Sequence, residues 1–357
     1  METLVSSLEL MRGRKVLVTG HTGFKGSWLS TLLIRAGADV HGIALEPHTS
    51  PSLFDELKLG VTIRSIICDI RDAERFTRHI QEIQPEIVFH LAAQALVKRS
   101  YADPKETFTT NVLGSLNVLE AVRGCKSVRS FVFVTSDKCY RNRELQRGYH
   151  EMDELGGADP YSASKASAEL LYRSYVESFF SNDRNIGVAS ARAGNVIGGG
   201  DWSADRLVPD CIRALASGAP ITLRRPEATR PWQHVLEPLS GYVMLAGNLL
   251  SRTIASGDSW NFGPPEDDVH TVKDVADRSV GFWGSGSVVV DSSTPAVHEA
   301  TLLQLNCRKA ADHLQWAPRW DYETTVERTI KWYRQRAEGV RASQLVERDI
   351  QHYVDVR

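Results

Sequence analysis

The sequence predicts an α/β protein built on a doubly wound parallel sheet. Three observations carry that expectation. Short, nearly continuous apolar runs alternate with helical patterns as far as Asn195, the signature of strands covered on both faces. A glycine-rich turn, Gly20-His21-Thr22-Gly23-Phe24-Lys25-Gly26, joins the first run to the first helix. Tyr161 and Lys165 stand four residues apart in a later helix, which places both on one helical face.

The elements follow in order. Lys15–Thr19 reads as a buried strand, and Ser27–Ala36 as a helix stopped by Gly37. Asp39–Leu45 is the second strand, and Val61–Ile70 holds the third. Ala73–Ile83 is a helix closed by Gln84-Pro85, and Glu86–Leu91 is the fourth strand. Asp103-Pro104 opens a long helix, Lys105–Arg123. Ser130–Thr135 is the fifth strand, Tyr161–Phe180 a second long helix and Ile186–Ala191 the sixth strand. Beyond Asn195 the alternation weakens: Gly198-Gly199-Gly200 breaks it, and Arg, Trp and Pro become frequent. Residues 1–195 are therefore expected to form a Rossmann-type dinucleotide-binding domain. Residues 196–357 are expected to form mainly a smaller C-terminal α/β substrate-binding domain. A segment near 235–265, through Trp260–Pro264, is expected to return to the first domain. The stretch Thr324–Val356 reads as amphipathic helix.

Bulk properties narrow the function. A formal net charge of −2 over 357 residues argues against general nucleic-acid binding. Five cysteines, at 68, 125, 139, 211 and 307, show no metal-ligand spacing, so no metal is expected and reduced thiols in a cytoplasmic protein are. Met1–Arg14 does not read as a signal peptide, and no apolar run approaches the roughly 20 residues of a membrane span.

In the glycine turn, Gly20, Thr22, Gly23, Phe24, Lys25 and Gly26 are the candidate phosphate cradle, with free N–H groups at the helix start facing the anion. His21 is bulky for such a loop and is expected to loosen the grip. At the end of the second strand Ala44 occupies the position where an Asp commonly holds the ribose, and Glu46 is the substitute. No Arg pair follows, which favours NAD over NADP. Asp69 and Ile70 are expected to flank the adenine, and Leu91-Ala92-Ala93-Gln94 to let the cofactor lie against the sheet. Lys165 beside Tyr161 should favour the phenolate, a general base near neutral pH. Ser136, Asp137 and Lys138 add further proton-handling groups. Hydride transfer alone needs only a Tyr, a Lys and a hydroxyl, so the extra acid and base suggest a second reaction such as elimination of water.

Together these motifs resemble the extended short-chain dehydrogenase/reductases over essentially the whole chain. Within them the chain is similar to the nucleotide-sugar 4,6-dehydratases, and to their CDP-sugar branch through Thr135-Ser136-Asp137-Lys138-Cys139-Tyr140 and Gly199-Gly200-Asp201-Trp202. The dTDP-glucose cousins carry Thr-Asp-Glu where this chain has Ser136-Asp137-Lys138. The resemblance implies a nucleotide-sugar substrate, CDP-D-glucose, with NAD as cofactor. It implies that Tyr161 takes the 4-hydroxyl proton, Lys165 also holds the nicotinamide ribose, Ser136 orients the 4-oxygen and Asp137 protonates the leaving 6-hydroxyl. Lys138 would remove the C5 proton if neutral, or stabilise the enolate as a cation. Arg206 and Arg230 are the candidates for the diphosphate, and Asn195 and Arg192 for the sugar. The resemblance further implies a homodimer, or a dimer of dimers, pairing the two long helices, and use in making a deoxysugar for a surface polysaccharide.

Overall fold

A computed structural model describes residues 3–183, 185–291 and 302–355. Glu2 and Val356, which figured in the expectations above, lie outside the described residues. The centre is a seven-stranded parallel sheet. Its first six strands are β1 (Lys15–Thr19), β2 (Asp39–Ala44), β3 (Arg64–Ile67), β4 (Ile87–His90), β5 (Ser130–Val134) and β6 (Gly187–Ala193). The seventh, Ser259–Phe262, pairs in parallel with β6, Trp260 opposite Ala191. Across the sheet the order is seventh strand, β6, β5, β4, β1, β2, β3. The order reverses between β1 and β4, where Thr19 lies opposite both Ile43 and His90. In doubly wound sheets the crevice at the carboxyl ends of the strands beside this reversal is where ligands bind.

Alternation along β1 shows how the sheet divides the core. Val16 and Val18 face one side, with Trp28, Leu29 and Leu33 of the helix Phe24–Arg35. Leu17 faces the other, with Phe76 and Ile80 of the helix Ala73–Ile83. Two further helices seal the first side. Leu236–Ser251 is buried along nearly its whole length, and Ala342–Asp355 adds Leu345, Val346, Ile350 and Tyr353 to the same cluster beside Phe24–Arg35. Beyond Asn195 the strands are short pairs, including Thr229–Arg230 against His270–Thr271. Among the described residues no helix is long and apolar enough to cross a membrane.

The departures from the sequence expectations have local causes. The third strand is shorter than Val61–Ile70, because Leu59–Thr62 coils into a helical turn after Lys58 at φ 55°. The first helix starts at Phe24 rather than Ser27, directly on Gly23. A helix at Leu4–Met11, capped by Thr3, was not anticipated. The C-terminal stretch is two helices, Tyr322–Ala337 and Ala342–Asp355, separated by Gly339 at φ 97°.

Candidate active site

The glycine turn has the geometry of a phosphate cradle. Gly20 adopts φ 78°, and a Cβ there would lie 2.8 Å from the Ala92 nitrogen. A Cβ on Gly26 would lie 2.1 Å from the Gly20 carbonyl oxygen. The turn therefore closes only with hydrogen at these positions, and it delivers the start of Phe24–Arg35 to the switch point. The floor beside it is built by hydrogen bonds. Thr19 Oγ1 accepts the N–H groups of Leu91 and Ala92, each at 3.2 Å. Its own proton then goes to His90 Nδ1 at 2.7 Å, which leaves Nε2–H to donate to Ser115 at 3.1 Å. Burial, with Lys165 nearby, pushes His90 down to about 3, so this tautomer is neutral. These residues fit a dinucleotide.

Not every candidate in this region points at the ligand. His21 turns away from the cradle, with Nε2 on Ser65 at 2.7 Å and its ring edge-on to Phe54, in space left open by the missing side chain of Gly42. Asp69 holds Arg71 at the end of β3, beside buried Ile70. The Gln94 side chain is spent on Thr107 and on the Leu96 N–H, and its backbone N–H and carbonyl are held by Asn111. Lys25 leaves the cradle for the catalytic groups. Its ammonium stands 5.9 Å from the Tyr242 ring, and burial, then Arg206, pushes it down to about 7.

The candidate catalytic groups meet at the carboxyl end of β5. A single turn of 3₁₀ helix, Asp137–Cys139, is capped by Ser136, whose Oγ accepts the Lys138 N–H at 3.2 Å and donates to Asp137 Oδ1 at 2.8 Å. Asp137 is 2% exposed, and among the described residues its Oδ2 has no hydrogen-bond partner. Gly194 abuts that oxygen: a Cβ there would lie 1.8 Å from Oδ2. Lys138 is partly exposed on the same turn. Facing it is the helix Pro160–Tyr175, started by Asp159, which accepts the Ser162 N–H at 2.9 Å. Tyr161 and Lys165 project from it, 7% and 5% exposed.

Electrostatics correct one expectation. Lys165 does not make Tyr161 a phenolate here. Burial pushes the phenol up to about 12, with Asp137 adding to the rise and Ser136 and Arg206 opposing it. Burial likewise pushes Lys165 down to about 8, against the pull of Glu169. Desolvation, which a sequence does not display, outweighs the pairing of the two side chains.

The candidate sugar and phosphate groups divide. Asn195 sits at φ 41° next to Gly194, and its buried Nδ2 has no partner among the described residues, which leaves an amide donor beside Asp137. Arg206 reaches the same space, held by Asp201 at 2.8 Å and close enough to act on Tyr161 and Lys25. Arg230 lies on a short strand with Nη1 on the Thr229 carbonyl at 2.7 Å. Arg192 is corrected: it is not a substrate contact. Its guanidinium is 3% exposed and lies inside the protein on Glu169, Tyr140, Ser259 and the Glu151 carbonyl.

Sequence reasoning passed over Glu169, Gly194 and Asn111. Asn111 lies in a π turn, Thr109–Gly114, where it ties the Gln94 backbone at 2.8 and 3.0 Å to Ser164 of the Tyr161 helix at 2.9 Å. Only Glu169 carried a readable signal, because it continues the Tyr161, Lys165 spacing by four more residues.

Fold and site together define an enzyme of the Rossmann-type dehydrogenase/reductase class, with a Tyr–Lys pair facing the carboxyl end of β5 and an added buried carboxyl beside it. Residues 17–329 match the family model described as GDP-mannose 4,6 dehydratase, and the chain belongs to that family. It is 45% identical over 347 residues to the CDP-glucose 4,6-dehydratase of Salmonella typhimurium, covering 96% of this chain and 97% of that one. Among solved structures it is similar to a UDP-glucose 4-epimerase of Thermus thermophilus in complex with NAD (TM-score 0.74, 25% identity, 90% of this chain and 99% of that one). It is also similar to a dTDP-glucose 4,6-dehydratase of Bacillus anthracis in complex with NAD (TM-score 0.76, 20% identity, 91% and 98%). Epimerases and dehydratases share this fold, so the choice between them falls to the site.

Proposed function

We propose that the chain is an NAD-dependent CDP-D-glucose 4,6-dehydratase, a hydro-lyase that yields CDP-4-keto-6-deoxy-D-glucose and water. The observation that carries this reading is Asp137. A buried carboxyl with a free oxygen stands beside the Tyr161–Lys165 pair, a group that oxidation or epimerisation at C4 does not require. The 45% identity to a CDP-glucose 4,6-dehydratase supports the same reaction and substrate.

The glycine cradle would hold NAD, which would supply the hydride acceptor for C4 and the hydride donor for C6, with an oxidised-ring charge that favours a phenolate at Tyr161. The rest falls to the chain. Tyr161 takes the 4-hydroxyl proton, and Ser136, 3.2 Å from the Lys138 N–H, fixes the 4-oxygen. The 4-ketone acidifies C5. Lys138 removes that proton and returns it to C5 when hydride reaches C6, and Asp137 protonates the departing 6-hydroxyl, which leaves as water. Arg206 and Arg230 hold the diphosphate, because guanidinium forks match paired phosphate oxygens. Asn195 contacts the sugar. Asp69 and Ile70 border the adenine.

The protein is proposed to pair with a second copy through its two long helices, which leave Phe108, Leu113, Leu170 and Phe179 exposed. Five free cysteines suit the reducing cytoplasm.

The test is to incubate the protein with NAD and CDP-glucose, dTDP-glucose or GDP-mannose, each deuterated at C4, and to follow mass. Loss of water from CDP-glucose alone, with deuterium recovered at C6, is the expected result. Unchanged mass with inversion at C4 would establish an epimerase instead, and water loss from another sugar nucleotide would reassign the base.

A further inference from the structure

Lys165 must stay a cation to do its work, yet it is 5% exposed and burial pushes it down. The groups acting on it come from several neighbouring elements: Lys25 from the cradle, His90 from β4, Cys139 from the 3₁₀ turn and Glu169 from its own helix. His90 is neutral and Lys25 is a second buried amine, so neither supports a charge on Lys165.

Glu169 is different. It stands one helical turn beyond Lys165 and two beyond Tyr161, on the same face. It is 1% exposed, and the donors it meets come from β5's end, from β6 and from the seventh strand. Thr135, just past β5, donates to Oε1. Ser190 and Arg192 of β6 donate to Oε2 at 3.0 and 2.7 Å, and Ser259 of the seventh strand lies at 3.4 Å. Burial alone would raise this carboxyl, but Arg192 and the hydroxyls more than offset it and hold Glu169 below the ordinary range. Arg192 is itself fixed by Tyr140 at 2.8 Å and the Glu151 carbonyl at 3.1 Å.

We propose that the buried Glu169–Arg192 pair is the positioning device of the active site: Glu169 is the fixed counter-charge that keeps Lys165 an ammonium, and Arg192 locks it across the ends of three strands. Glu169 touches neither reacting atoms nor crevice, so it acts through Lys165. The proposal rests on the Tyr161–Lys165 chemistry given above for its effect on turnover, but not for its effect on Lys165 itself.

Two readouts test it. In the substrate-free protein, Lys165 is titrated by trace acetic-anhydride labelling read by peptide mass spectrometry; the wild-type midpoint is expected at about 8. In Glu169→Gln the midpoint is expected to move acid by about one pH unit, and the alkaline limb of kcat for CDP-glucose dehydration to move with it. Thr135→Val removes a donor and keeps the charge, so both stay in place. Should Glu169→Gln fail to fold, the double variant Glu169→Gln with Arg192→Met removes both charges and avoids an orphaned buried ion; it is expected to shift in the same direction. A folded variant with midpoint and limb at the wild-type pH overturns the proposal. A wild type that leaves CDP-glucose unchanged would sink the substrate assignment alone, since the labelling still decides the role of Glu169.

Discussion

At the scale of single residues, the site is defined as much by what is missing as by what is present. Asp137 keeps a free oxygen only because position 194 has no side chain. Gly194→Ala is expected to push the carboxyl off the sugar's C6 and lower kcat by on the order of 10²–10⁴, the usual contribution of a general acid. Steady-state turnover measures this, and a loss under tenfold would mean that Asp137 is not the acid. Lys138→Ala should separate the two halves of the reaction. A single turnover would release deuterium from C4 into bound cofactor, seen as absorbance near 340 nm, without loss of water. Full dehydration by that variant would remove Lys138 from the mechanism. Tyr161, Lys165, Ser136 and Asp137 were legible in the sequence because their chemistry depends on residue type and short spacing. The protonation state of Tyr161 was not, since it depends on burial, and neither was the contact between Gly194 and Asp137, which lie 57 positions apart.

Elements explain which parts of the fold could be read and which could not. Ala73–Ile83 was read to the residue because three buried positions, Phe76, Ile80 and Ile83, recur at helical spacing between an Asp72 cap and a stop at Gln84. Leu236–Ser251 gave no such pattern. It is apolar nearly all round and sealed between the sheet and the helix Leu4–Met11, so it has no polar face to set a period. The β1–β4 junction offers a test at this scale. Thr19→Val keeps the shape but removes the acceptor of two N–H groups and the donor to His90. Losing these should cost about 1–3 kcal/mol in ordering the floor, read as a ten- to hundredfold weaker NAD dissociation constant by calorimetry. An unchanged constant would show that the floor needs no such anchor. On the outer helices, Leu170 is 57% exposed. Leu170→Glu should give a monomer by light scattering if those helices pair two copies, and a wild type that is already monomeric would end that reading.

For the whole molecule, three histidines set the acid limit. His21 is pushed to about 4, and His90 and His234 to about 3, each chiefly by burial. All three are neutral when folded and free to charge when unfolded. Their stabilisation is therefore complete above the ordinary value of 6.5 and is lost as pH falls below it, by about 1.4 kcal/mol per pH unit for each. Urea melts at pH 7.5 and 5.5 should show a clear fall in stability, and equal midpoints would contradict it.

The glycine run after β6 carries the chain out of the sheet under tight constraint. Trp28 Nε1 donates to the Gly199 carbonyl at 2.9 Å, and a Cβ on Gly199 would lie 2.0 Å from the Trp332 ring. The two tryptophans come from opposite ends of the chain. The same holds for the sheet, whose edge waits for Ser259–Phe262 and whose near face, beside Phe24–Arg35, waits for Leu236–Ser251. During synthesis, then, the half of the protein that emerges first has no finished surface to settle on. Six strands leave the ribosome with one face covered only by Phe24–Arg35, and they must be kept from their neighbours until Leu236–Ser251 arrives to complete the cover.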